Sequence, residues 1–233
     1  MLDNFFNIKK PYFVTGYFSI LFIDLLCKLY LDPIPYRYIT KSLLMILLIV
    51  FYLKNYNKND KKKHYFTFLA LFLFWTASVS IINHINNLNF IISMLFFILA
   101  KIMYCFRFTN NRDFKISRLV PFLAGGFVFM VSVLSLIYKG LGDFFIPVLI
   151  YFFVSLLLCI FAYLRKGDVN TKSYNLVLIA MFFLILSEVI MGVKTYYRPL
   201  PFQNISVMLF YGIAQFLIVY GILIEVKIAK ENS

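Results

Sequence analysis

Stretches of about twenty apolar residues, the length that crosses a bilayer as a helix, recur eight times along this chain. They span roughly 12–31, 38–53, 65–83, 89–108, 119–138, 144–164, 174–193 and 203–226. In hydrocarbon every backbone polar group must be satisfied internally, so such runs are read as helices rather than strands. The sequence is 62% hydrophobic with a mean hydropathy of +0.85, too apolar for a soluble core of this size to hide. The expectation is an all-α, polytopic membrane helix bundle: one integral membrane domain over 1–233, with eight transmembrane helices and brief connectors that make successive helices antiparallel neighbours.

The net charge of +13 would suggest nucleic acid in a soluble protein. Here most Lys and Arg fall in the connectors, where they set orientation and meet anionic head groups, so no nucleic-acid partner is expected. Sixteen cations, from Lys9 and Lys10 through Lys61–Lys63 and Arg107 to Lys230, fall on one side of the expected spans; Arg37, Lys41, Lys139, Lys194 and Arg198 fall on the other. The positive-inside rule then puts both termini in the cytoplasm and the protein in the cell inner (plasma) membrane, multi-pass. The run after Lys10 is too long for the apolar region of a cleavable signal and is read as the first span. Cys27, Cys105 and Cys159 lie inside apolar runs as packing thiols. No metal or cofactor is expected. The spacing places Pro121 and Pro147 in the first turns of their helices, where a missing N–H costs little, and Gly125-Gly126 where another helix approaches closely. Parallel features in spans three and four and in spans seven and eight suggest a tandem 4+4 internal repeat.

Charges at membrane depth are costly and mark function or pairing. Asp24 and Lys28 sit four residues apart and can share a helix face. Lys101 either snorkels to the interface or meets a carboxylate. Glu188, near the end of the seventh run, needs a cation or a proton. Given the orientation, Asp24, Lys41, Ser78, Glu188, Lys194, Tyr211 and Gln215 fall within one outer depth zone of five helices. That pattern predicts a polar cavity open to an amphiphile. The plain alternatives are small packing residues at Ser78, an interfacial anchor at Tyr211, a helix-bridging amide at Gln215 and an ordinary loop cation at Lys194.

Several of these segments, in order, resemble the YhhN-type, lysoplasmalogenase-like membrane family. Thr40-Lys41-Ser42-Leu43-Leu44-Met45 resembles the Lys-Pro-Leu segment opening its second helix. Leu99-Ala100-Lys101-Ile102-Met103-Tyr104 resembles its Ala-His-x-x-Tyr segment, and Leu186-Ser187-Glu188 its Leu-Ser-Asp segment. The basic, Pro-containing connector 194–201 and the ending Tyr211-Gly212-Ile213-Ala214-Gln215 complete the match, over about residues 38–225.

The resemblance implies an eight-span fold and hydrolysis of the vinyl ether bond of lysoplasmalogens. That chemistry divides acid and carboxylate roles between two acidic residues. The departures bear on it directly. The family's third-helix acid is Ser78 here, its His is Lys101, its seventh-helix Asp is Glu188, and the Pro after its lysine is Ser42. The expected roles are therefore Glu188 as acid or base, Asp24 as a possible substitute for the acid missing at Ser78, and Lys41, Lys101, Tyr104, Lys194, Tyr211 and Gln215 as substrate contacts. The expected partner is a lysophospholipid or ether lipid among the membrane lipids. The alternatives are a lipid-binding or membrane-stress protein that has lost catalysis, and a small-solute transporter using Lys101 and Glu188 as a relay.

Overall fold

The computed structural model of the chain describes residues 10–31, 34–56, 60–83, 87–109 and 116–226. Eight α-helices occupy them: α1 (Lys10–Tyr30), α2 (Tyr36–Asn55), α3 (Lys61–Ser80), α4 (Asn87–Phe108), α5 (Ile116–Leu141), α6 (Phe145–Leu164), α7 (Thr171–Tyr196) and α8 (Gln203–Leu223). No strand occurs among the described residues. Seven stretches are long and apolar enough to cross a membrane, consistent with a multi-pass membrane protein. The count is seven because 119–164 reads as one apolar stretch of 46 residues. Within it α5 and α6 are separate helices, divided by a short 3₁₀ turn at Gly142–Phe144. Gly142 opens that turn at φ 48°, a conformation that penalises any Cβ.

The helices begin and end where local chemistry allows. Asp60 caps α3, its carboxylate accepting from the Lys63 backbone N–H at 3.2 Å, one of the donors a helix start leaves unpaired. α2 is 20 residues long, about 30 Å at 1.5 Å per residue. It outruns its apolar core because Tyr36, Arg37 and Lys54 continue the helix past the hydrocarbon-like residues. The same effect overturns the expected place of Pro121. α5 starts at Ile116, so Pro121 lies inside the helix; the polar Ser117 and Arg118 extend it N-terminally, and one backbone hydrogen bond of the second turn is forfeited. Pro147 lies in the first turn of α6, as expected.

The chain divides into two compact units, 1–100 and 101–233, with the boundary inside α4. In the first, α2 packs on α1 and on α3. Leu44, Met45, Leu48 and Phe51 line its buried stripe, and Phe51 stacks on Phe13 of α1 with ring centroids 3.6 Å apart.

The second unit is built around α7 and α8, whose mutual packing is the most extensive in the protein. Ser173, Val177, Ala180, Leu184 and Ser187 form the buried seam of α7, recurring every three or four residues as a helix–helix contact requires. Two serines fasten the seam: Ser173 Oγ donates to Gly221 O at 2.7 Å and Ser187 Oγ to Val207 O at 2.8 Å. Small residues set the spacing elsewhere. A Cβ on Gly140 of α5 would fall 1.8 Å from the Tyr196 carbonyl oxygen of α7. Of the Gly125-Gly126 pair, only Gly126 is closely approached, by the Leu156 side chain of α6. Phe127, Val128 and Phe182 point outward, more than half exposed, as lipid-facing residues do.

Candidate functional site

The polar interior of the second unit centres on Glu188. The seam of α7 turns its carboxylate inward among α4 and α6, and the side chain is only 7% exposed. A lone carboxylate there would be expensive, and Lys101, Ser155 and Tyr151 answer it. Lys101 Nζ on α4 lies 2.7 Å from Glu188 Oε1. Ser155 on α6 donates its hydroxyl to Glu188 Oε2 at 2.7 Å, and Lys101 Nζ donates to Ser155 Oγ at 2.6 Å.

The three side chains therefore close a ring in which each charge is met by the other charge and by the hydroxyl. Lys101 also sits 3.4 Å from the centroid of the Tyr151 ring, whose electron-rich face adds a cation–π attraction. Of the two courses open to Lys101, snorkelling or meeting a carboxylate, it takes the second. It is fully buried, and its ammonium finds acceptors from two further helices.

Chemically this is a neutralised pair. The carboxylate's lone pairs are engaged by an ammonium and hydroxyls already in place. Two-acid hydrolysis needs one carboxyl group kept neutral and another kept ionised. Ser155 and Tyr151 are the residues that the sequence reading missed. A serine in an apolar helix reads as packing, and only the fold brings 101, 155 and 188 together.

The other expected site residues of this unit are placed as follows. Tyr104, one turn past Lys101, is fully buried and stacks on Phe108. Tyr211 and Gln215 lie one turn apart on α8, both buried. The Gln215 amide is fully enclosed, and neither its nitrogen nor its oxygen has a hydrogen-bond partner among the described residues. A buried amide left so is costly and suits a water or ligand contact. Lys194 donates to Asn204 Oδ1 at 3.0 Å, bridging the C-terminal end of α7 and the N-terminal end of α8.

A second charged group lies where α4, the α6–α7 connector and the residues after α8 meet. The Glu225 carboxylate accepts from both Arg107 and Arg165, its Oε2 lying 3.0 Å from one Nη2 and 2.9 Å from the other. Arg165 also donates to Ser173 at 2.9 Å and covers the Phe108 ring. Burial draws the Arg165 guanidinium below its ordinary value, with Glu225 pulling it back up and Arg107 pushing it down. It remains a cation, as guanidinium groups in proteins do. Both arginines were counted among the cations on one side of the expected spans, and their counter-charge was not foreseen. They are buried because Glu225, in the last residues of the eighth run, supplies the counter-charge.

In the first unit, Asp24 is fully buried on α1 and finds partners on α2. The Thr40 hydroxyl donates to its Oδ1, and Arg37 lies 3.7 Å from its Oδ2. Lys41, one turn beyond Arg37, is 8% exposed. Ser78, in the last turn of α3, is fully buried. Arg37 and Thr40 were missed, because an Arg opening a span reads as an interfacial cation.

The family model for the YhhN family matches residues 36–222, from the start of α2 almost to the end of α8. This chain belongs to the YhhN family. The matched range agrees with that of the motifs and holds every expected site residue except Asp24. No curated protein and no solved structure matches the chain.

Proposed function

We propose that this YhhN-family protein binds a lysophospholipid-like amphiphile within the membrane and does not cleave it by two-carboxylate chemistry. One observation carries the reading: Glu188, the retained acid, is held by Lys101 at 2.7 Å and by Ser155 at 2.7 Å. With Ser78 at the position of the other acid, neither of the two positions offers a free carboxyl group as proton donor in that scheme. What remains is suited to holding a ligand: buried hydroxyls and an enclosed amide at Gln215 whose donors and acceptor are unspent. We read the fold as eight crossings with both termini cytoplasmic in the plasma membrane. A stretch of 46 residues at 119–164 is about 69 Å long as one helix, over twice the hydrocarbon thickness, so α5 and α6 each cross. The tandem 4+4 arrangement belongs to the same reading.

The test uses purified protein in lipid nanodiscs. Lipid extracted from it is identified by mass spectrometry, and lysoplasmalogen is added while aldehyde release is followed beside a family member carrying both acids. A retained lysolipid with no aldehyde above the protein-free control is expected. Aldehyde release at the relative's rate would sink the proposal. It would restore the second reading, vinyl ether hydrolysis with Glu188 freed from Lys101 and Gln215 orienting water. The unpartnered Gln215 amide is what favours that alternative.

A further inference from the structure

The start of α2 carries an electrostatic imbalance. Arg37 and Lys41 lie one turn apart on the same face, in the first two turns of the helix. That is the positive end of the helix dipole, where cations are disfavoured and anions welcome. Pro35 precedes the helix and contributes no side-chain cap. Both cations are more than nine-tenths buried, Arg37 at 9% and Lys41 at 8% exposed.

Among the described residues, one carboxylate answers them. Asp24 is 3.7 Å from Arg37, and Thr40 fixes the other oxygen of that carboxylate from the same turn of α2. Asp24 also attracts Lys41, while Arg37 repels it, yet the Lys41 ammonium makes no hydrogen bond and no ion pair among the described residues. Arg37 Nε is buried without a hydrogen-bond partner there. Among the described residues, two cations and a helix N-terminus face one carboxylate, which leaves positive charge over and donors unspent on both cations. Burying an ammonium without a counter-charge costs several kcal/mol; an anion completes the group.

From this geometry we infer that Arg37 and Lys41 form a phosphate clamp, with Asp24 and Thr40 as positioning residues that hold the guanidinium in place. The guanidinium offers its planar edge to two phosphate oxygens and the ammonium meets a third as a point charge. Asp24 is thereby a structural anion, not a substitute acid. Phosphate chemistry is shared by a lysolipid head group and by free phosphate. The inference names residues of the first unit that would meet a phosphate, and it rests on the amphiphile reading only for the lipid source.

The experiment measures binding to the full chain in nanodiscs with three probes: oleoyl lysophosphatidate, monoolein with the same acyl glycerol but no phosphate, and inorganic phosphate. Wild type is expected to bind lysophosphatidate at least tenfold more tightly than monoolein. R37Q and K41Q are each expected to lose about tenfold or more on lysophosphatidate, the scale of one charge-assisted hydrogen bond, with monoolein unchanged. R37K, which keeps the charge but not the fork, is expected to fall between; it also serves if R37Q does not fold. Equal affinity for lysophosphatidate and monoolein, or lysophosphatidate binding indifferent to R37K and K41Q, would overturn the clamp while leaving amphiphile binding intact. Saturable phosphate binding that K41Q abolishes, with no affinity for either lipid, would keep the clamp and overturn the amphiphile reading. No binding of lysophosphatidate or phosphate by wild type would overturn the clamp.

Discussion

Separating Lys101 from Glu188 gives the sharpest measurement of what the buried ring contributes. At 2.7 Å and an effective dielectric constant of about 20, two unit charges attract by about 6 kcal/mol. Desolvating both ions offsets much of this, so the net worth of the pair is small while the penalty for breaking it is large. K101M leaves Glu188 with the Ser155 and Tyr151 hydroxyls but no counter-charge; E188M leaves Lys101 against Ser155 and the Tyr151 ring. Each single change is expected to cost about 3–5 kcal/mol, the range for an uncompensated buried charge. The double variant K101M/E188M, apolar on both sides, is expected to lie within about 1 kcal/mol of wild type.

Reversible unfolding in mixed micelles with increasing dodecyl sulfate, followed by circular dichroism, supplies the four free energies of the cycle. Fluorescence is a poorer reporter, since the single tryptophan, Trp75, lies in the other unit. A coupling energy at or below about 0.6 kcal/mol, the average for ordinary hydrogen bonds between membrane helices, would refute the reasoning. So would a double variant as unstable as the two single changes added together.

Two further pairs of substitutions separate structure from sequence expectation. E225Q should destabilise more than R107Q, by at least about 1 kcal/mol in the same unfolding assay, because it leaves two buried guanidinium groups without their shared carboxylate rather than one carboxylate with its second partner. G140A should cost at least about 3 kcal/mol, since its Cβ would meet a backbone oxygen of α7 that cannot step aside. G126A should cost less than about 1 kcal/mol, since the atom it meets is the end of a flexible Leu156 side chain; equal effects of the two would count against the described helix spacing.

The helices were legible because the apolar runs are long and the connectors polar. Their ends were less so: Arg37 and Ser117 are polar yet helical, and hydropathy stops where helix geometry does not. The YhhN membership was legible from ordered motifs. The Lys101–Glu188 contact was foreseen as one of two outcomes, since both residues were costly and only a partner or an interface could relieve them. Ser155, which completes the ring, was invisible, because one hydroxyl in a helix of Phe, Leu and Val carries no signal until its neighbours are known. The burial of Arg107 and Arg165 was invisible for another reason. A rule that counts cations by side cannot see a single carboxylate 118 and 60 positions away that draws both inward.

The described chain ends in a latch. The backbone N–H of Asn170 donates to Val226 O at 3.0 Å, and Val226 N–H returns a bond to the Asn170 side chain at 2.9 Å, one residue after Glu225 takes its two arginines. The two-way bond joins the entry of α7 to the exit of α8, so the whole hairpin is a loop closed at its base. During synthesis none of this can form until the last crossing has emerged. Until then α7 stands with an open seam and two arginines wait for their carboxylate. Assembly of the second unit is thus completed from its C-terminal end, and a chain cut between Leu223 and Glu225 would retain every membrane crossing yet lack the three contacts that close it.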